Sequence, residues 1–275
     1  MKKFAKILSL LMALALVFTC AACGSEKTES GVKDTENKKE ILRVATNAEF
    51  EPFESVDKES GELIGFDIDL IKAIADKIGY EVKFDNMEFE AVLGAVTSGS
   101  CDVGISGLTI NAKRKKSVDF SDAYYSGAAQ ILIVGANDTY YTGKTKEELD
   151  EQLKNQKIGV CTGFTGQAYA KGDDEWGFKG IEGAKISIYD NVSLAIADLK
   201  NGTINAIIMD DSVAKNAASE NSDIAKVVDV PLTVEEYGIA IKKGNTELAE
   251  KINKAFNELK EDGTYEKLLK EYGLN

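Results

Sequence analysis

Cys101-Asp-Val-Gly-Ile-Ser-Gly-Leu-Thr-Ile-Asn-Ala-Lys-Arg-Lys-Lys-Ser-Val-Asp-Phe-Ser-Asp122 starts as a short apolar strand, ends it on small polar residues and sets an arginine just beyond. Ser106, Gly107 and Thr109 offer short hydroxyls and open backbone. Arg114 carries a planar guanidinium that can hold two carboxylate oxygens through parallel hydrogen bonds. The same residue types also suit an ordinary strand-turn-helix unit with a solvated basic start over Lys113 to Lys116. The neighbouring segments have to choose between the two.

The pattern repeats later in the chain. A helical stretch, Gly99, two residues, Asp102 and a strand to Ser106-Gly107 are echoed by a helical stretch, Gly202, two residues, Asn205 and a strand to Met209-Asp210. Ligands in open parallel sheets bind beyond the carboxyl ends of strands. Two related lobes would therefore each offer one such edge to a shared cleft. In the second lobe, Lys157-Ile-Gly-Val-Cys161 reads as a strand and Thr162 to Gln167 as a glycine-bearing turn opening a short helix at Thr165. Free N–H groups at such a helix start favour an anion. Asp210 could pair an ammonium group or simply cap the helix that follows. Phe50, Phe53 and Phe89 could wall a pocket or sit in the core.

Short apolar strands alternate with amphipathic helices along the rest of the chain, the rhythm of an α/β fold with mainly parallel sheets flanked by helices. Strands are expected at Ile41 to Thr46, Glu81 to Phe84, Asp102 to Ser106, Gln130 to Val134, Lys157 to Cys161, Lys185 to Tyr189, Ile204 to Met209, Lys226 to Val230 and Tyr237 to Ile241. The first helix should run from Asp67, as N-cap, to about Ile78, with Leu70, Ile71, Ile74, Ala75 and Ile78 on one face and Gly79 stopping it. Further helices are expected at Phe89 to Ser98, Thr165 to Ala170, Asn191 to Lys200, Asp211 to Ala218, Thr246 to Glu261 and Thr264 to Tyr272.

Lys2, Lys3 and Lys6, the apolar run Ile7 to Phe18 and Cys20-Ala-Ala-Cys23 have the order of a signal peptide over residues 1–22. Residues 24–40 are polar and small, with Val32 the only aliphatic residue, and should form a disordered tether. The formal charge is −13, or −16 without the three leader lysines, which argues against nucleic acid as a partner. The sequence has no histidine, which removes a Ser-His-Asp triad, a Cys-His pair and the usual zinc ligand sets. Cys101 and Cys161 are the cysteines of the folded part, and both read as buried thiols. No cofactor and no metal are expected.

Ala45-Thr-Asn-Ala-Glu-Phe-Glu-Pro-Phe53, Gly65-Phe-Asp-Ile-Asp-Leu70, Ser106 to Arg114, Val118-Asp-Phe-Ser-Asp-Ala-Tyr-Tyr125, Ile207-Ile-Met-Asp-Asp211 and Glu261-Asp-Gly-Thr-Tyr265 resemble the extracellular solute-binding proteins of polar amino acid ABC transporters. The resemblance runs in order from Ile41 onward. It implies a two-lobe periplasmic-binding-protein-like fold joined by two crossover strands, with lobe one over 41–133 plus 237–275, lobe two over 134–236 and hinges near Val134 and Glu236. The implied ligand is a free, polar amino acid, and the implied partner a membrane permease. By position, Arg114 would bind the α-carboxylate, helped by Thr109 and the backbone near Thr165. The Gly107 carbonyl and Asp210 would hold the α-ammonium. Phe50 and Phe89 would flank the side chain, with Asn47 and Ser106 completing the set. Cys23 resembles the acylated cysteine of bacterial lipoproteins, which would place a monomer on the outer face of the cytoplasmic membrane.

Three features depart from the family pattern. Asn47 stands where many members have aspartate, which weakens the case for arginine or lysine unless a carboxylate such as Glu49 substitutes. Cys161 and Phe164 occupy turn positions that are often polar. The insert Gly172 to Gly183, with the sole tryptophan at Trp176, has no clear counterpart. A ligand sensor or adhesin-like surface lipoprotein is the rival reading, and an enzyme similar to cyclohexadienyl dehydratases a further one on the same fold.

Overall fold

The computed structural model describes residues 39–274. The leader over 1–22, Cys23 and all but the last two residues of the tether 23–40 lie outside the described residues, as does Asn275.

Two five-stranded sheets organise the described residues. In the first, the strand order is Tyr80–Asn86, Glu40–Thr46, Val103–Gly104, Ala240–Lys242, Val118–Phe120. In the second it is Lys185–Tyr189, Lys157–Cys161, Ala206–Asp210, Gln130–Gly135, Ala225–Val228. The first three strands of each order pair in parallel and the remaining pairings are antiparallel. The sheets are thus mixed rather than mainly parallel, because in each one a strand that leads to or from the other lobe runs against its neighbours. Helices cover both faces, which is why the central strands are apolar at successive positions. Ile131 and Ile133 enter one core and Leu132 and Val134 another, the two-residue period of a strand with both faces buried.

The sequence echo has a structural cause. Asp102 accepts the Arg43 N–H at 2.9 Å through its carboxylate, and its own N–H donates to the Arg43 carbonyl at 2.9 Å. Asn205 does the same with Lys157, accepting at 3.1 Å and donating at 2.7 Å. In each lobe this side chain fixes the register of the strand that follows against its parallel neighbour. Gly99 and Gly202, at φ 81° and 70°, take the left-handed backbone that turns the chain out of the preceding helix.

The lobes are joined by a two-stranded ribbon in which Tyr125–Ala128 pairs antiparallel with Glu235–Tyr237. The outgoing crossover therefore lies before Gln130, not near Val134, because Gln130–Gly135 is already a full member of the second sheet. The strand expected over Tyr237 to Ile241 divides in two, with Tyr237 in the ribbon and Ala240–Lys242 in the first sheet. Between them Gly238 passes against Ile110, where a Cβ would come within 2.7 Å of Ile110 Cδ1.

Two helix expectations also change. The first helix spans Phe66–Ile78 with Gly65 as its N-cap, so Asp67 is not the cap. Its carboxylate instead turns inward and accepts the Gly107 N–H at 2.9 Å. A helix with no sequence expectation, Lys146–Leu153, forms where only Leu149 and Leu153 are buried. Those two residues, a Thr145 cap on Glu148 N–H and a Lys146–Asp150 ion pair hold it. Among the described residues no helix is long and apolar enough to cross a membrane. Cys101 and Cys161 are both buried free thiols.

Candidate functional site

The two lobes meet over a cavity of about 10 Å³, on the scale of one water, lined by Phe50, Phe89, Gly107, Thr109, Arg114, Phe164, Thr165 and Asp210. Each of these residues is delivered by an element end. Phe89 opens the helix Phe89–Ser98, Gly107 and Thr109 follow the strand Val103–Gly104, and Arg114 opens the short helix Arg114–Ser117. From the other lobe, Thr165 opens the helix after Lys157–Cys161 and Asp210 ends Ala206–Asp210. Carboxyl ends of parallel strands thus face each other across the cleft.

Arg114 is 6% exposed and its backbone N–H donates to Asn111 Oδ1 at 2.8 Å, which fixes the start of its helix. Its guanidinium donates to the Thr109 carbonyl at 3.0 Å and across the cleft to the Gly163 carbonyl at 3.3 Å. Burial pulls its pKa down to about 10, opposed by the charges of Glu235 and Asp210, so it remains a cation at neutral pH. None of its salt-bridge distances to a carboxylate falls within 4.0 Å among the described residues.

Asp210 is 3% exposed and accepts the Tyr237 hydroxyl at 2.7 Å. Burial, and next the charge of Glu235, push its pKa up to about 7, against the hydrogen bonds from Tyr237 and Gln130. Glu235 ties the lobes together. Its Oε2 accepts the Thr109 and Thr165 hydroxyls, each at 2.7 Å, and its Oε1 accepts Gln130 Nε2 at 3.1 Å and the Thr233 hydroxyl at 2.7 Å.

Asn47 and Ser106 stand behind this cavity rather than on it. The Asn47 amide donates to the Met87 carbonyl at 2.9 Å, while Ser106 Oγ accepts the Asn47 N–H at 3.0 Å and donates to Glu54 at 2.6 Å. Glu54 and Asp67 are both buried beneath the Gly107 turn, and burial raises both carboxyls, Asp67 to about 6. Among the residues the sequence reading missed, Glu235, Tyr237 and Gln130 are those that order the cleft. Glu235 is legible only as a neighbour of the expected crossover at Glu236, and Tyr237 as its other neighbour and the start of an expected strand. Gln130, a polar residue opening an otherwise apolar strand, was the available signal for a buried partner.

Gly107 sits at φ +52°, and a Cβ there would lie 2.5 Å from Phe50 Cε1. The Phe50 ring is held by Phe53, Phe164 and Tyr237 with centroids 5.5, 5.7 and 6.2 Å away. Gly107→Ala should therefore cost about 1–3 kcal/mol in a urea unfolding series, through backbone strain and a displaced ring. An unchanged midpoint would mean that the ring yields freely.

A second, wider space of about 480 Å³ opens beside the cavity and shares Phe89, Arg114 and Phe164 with it. Those side chains form the partition between the two. Among the described residues no group of three or more Asp, Glu, Cys or His could hold a metal ion.

Residues 42–275 match the model of the bacterial extracellular solute-binding proteins, family 3. The chain is 33% identical to a probable histidine-binding protein of Neisseria gonorrhoeae over 99% of this chain and 96% of that one. It is 34% identical to an arginine-binding extracellular protein of Bacillus subtilis (strain 168) over 97% of each. Among solved structures, an ancestral arginine-binding protein bound to arginine superposes with a TM-score of 0.74 at 42% identity, covering 86% of this chain and 99% of that one.

Proposed function

Because the chain belongs to the bacterial extracellular solute-binding proteins of family 3, we propose that its cleft captures one free amino acid and hands it to an ABC transporter permease. The observation that carries this reading is the placement of Arg114 on one lobe and Asp210 on the other, both lining one cavity without a carboxylate in contact with the guanidinium. A zwitterion leaves water only if both its ends find charged partners. Arg114 takes the α-carboxylate as a two-pronged donor, and Asp210 with the Gly107 carbonyl takes the α-ammonium. The Thr109 and Thr165 hydroxyls already donate to Glu235, which leaves the guanidinium as the main carboxylate partner.

A free amino acid needs far more room than the cavity offers, so entry requires the lobes to part about the ribbon Tyr125–Ala128 and Glu235–Tyr237. The ligand contacts both lobes and thereby favours the closed form. We read the side-chain slot as the place now taken by the Phe164 ring, 5.7 Å from Phe50 and 4.3 Å from Phe89 between centroids. Burial pushes the Cys161 thiol up to about 12, with the charges of Asp210, Glu49 and Asp190 acting in the same direction. Aromatic walls with acidic neighbours favour a flat, cationic side chain. The arginine and histidine in the names of the relatives support that ligand class, although Asn47 brings no charge of its own. Outside the described residues, acylation of Cys23 would hold the lobes at the outer membrane surface as a monomer, with the polar tether as spacer.

Titration calorimetry with the twenty amino acids tests this reading, and arginine is expected to bind most tightly and glutamate most weakly. A ligand at 100 times its dissociation constant should add about 2.7 kcal/mol to stability. Tighter binding of glutamate than arginine would overturn the ligand class. Binding of none would overturn capture itself.

A further inference from the structure

The insert Gly172 to Gly183 crosses the cleft. Asp173 and Phe178 close its base by an antiparallel bridge, with N–H to carbonyl distances of 2.8 and 3.0 Å, and Gly177 at φ 78° permits the tight turn between them. Phe178 roots the loop in the second lobe, 5.3 Å from Tyr169 and 6.4 Å from Trp176 between ring centroids. From that base three side chains reach the first lobe. Asp173 pairs with Lys113 at 2.7 Å, Glu175 pairs with Lys116 at 2.6 Å, and the Trp176 ring centroid lies 5.0 Å from Arg114 Cζ. Arg114 is also 5.5 Å from the Phe89 ring, so one guanidinium is shared between an aromatic of each lobe.

We propose that this loop is a latch and that Trp176 is a positioning residue which holds Arg114 in its carboxylate-binding pose from the opposite lobe. The inference rests on the amino acid capture reading for the role of Arg114. A ring against the guanidinium face does not block the N–H edges, and the N–H groups not already on the Thr109 and Gly163 carbonyls are what a carboxylate needs. All three contacts join the two lobes, so they form only on closure. They cannot speed the entry of a ligand into an open cleft, so breaking them should hasten dissociation and leave association no slower. The two ion pairs are partly exposed and respond to salt, whereas the stacked contact responds little.

Stopped-flow measurement with arginine tests the latch. Trp176→Ala should raise the dissociation rate about tenfold with the association rate no lower than in the wild type, and Trp176→Phe should restore much of the loss. Added salt should speed dissociation from the wild type but not from the Lys113→Gln/Lys116→Gln protein. An unchanged dissociation rate in Trp176→Ala, or a loss carried by association, would overturn the proposal. A readout without ligand separates the latch from the capture reading. Trp176 is the only tryptophan, so acrylamide quenching reports on it alone. Quenching should rise severalfold in ligand-free Lys113→Gln/Lys116→Gln and in wild type at about 1 M salt, where screening falls to about 3 Å. Equal quenching throughout would overturn the latch even if arginine binds. Failure of the wild type to bind any amino acid would overturn the capture reading and leave the quenching result to decide the latch.

Discussion

Arg114→Ala is expected to weaken amino acid binding on the order of a thousandfold while leaving the fold intact. Removing one partner of a buried, hydrogen-bonded charge pair costs about 2–5 kcal/mol, much of it the penalty on the charge left behind. The upper part of that range applies because few other donors are at hand. The Thr109 and Thr165 hydroxyls are committed to Glu235, and the remaining contribution comes from backbone N–H groups near Thr165. The fold should tolerate the change because the Arg114 side chain bonds only to the Thr109 and Gly163 carbonyls and stacks on rings, and it neutralises no carboxylate in contact. Arg114→Lys should rescue only part of the affinity, since an ammonium cannot present two parallel N–H bonds. Calorimetric affinity within tenfold of wild type for the alanine protein would refute the pose.

Asp210→Asn should lower affinity by about a hundredfold near pH 8, again within the range for an unpaired buried charge, and should also abolish a pH dependence. Burial holds the Asp210 carboxyl at about 7, above its unfolded value of about 3.9. A group raised in this way stabilises the fold fully below the unfolded value, and that contribution is lost as pH rises through about 7. The ligand ammonium reverses the preference, because it favours the ionised carboxylate. Affinity should therefore rise with pH up to about 7 and level off above, by as much as tenfold per unit on the rising part. Binding at pH 6 should release protons, which calorimetry in buffers of different ionisation enthalpy will count. Glu54 and Asp67 are also raised by burial, so the stability profile alone does not isolate Asp210. The comparison with Asp210→Asn does, and a pH profile that survives in that variant would assign the effect elsewhere.

The element pattern was legible because strand and helix periodicities survive in the sequence. Lys157–Cys161, Lys185–Tyr189, Phe89–Ser98 and Thr246–Glu261 lie where the apolar spacing and the glycine stops put them. The errors fall where local preference met a long-range partner. Asp67 has an N-cap's chemistry, yet its carboxylate bonds Gly107 and Tyr124, and Gly65 caps the helix instead. The polar helix Lys146–Leu153 had too few apolar residues to declare itself. Gln130 to Val134 reads as a strand without saying to which sheet it belongs, so the sequence alone does not locate the crossover before it. The motifs that carry Asn47 and Ser106 set them beside the cavity residues, but their hydrogen bonds run to Met87 and Glu54 behind it.

Composition and periodicity alone established the alternating strands and helices of an α/β chain, and the motifs that resemble the solute-binding family implied its two lobes, since each depends on neighbours within one element or on residue chemistry. Histidine-free composition needs no coordinates, and neither does the repeated helix-glycine-strand unit. The tertiary structure decided what depends on approach between distant segments. It set Glu235 between the threonines of the two lobes, Tyr237 on Asp210, and Trp176 on Arg114. Those pairings are separated by tens of residues or more, and no local spacing encodes a contact that exists only when two sheets come together.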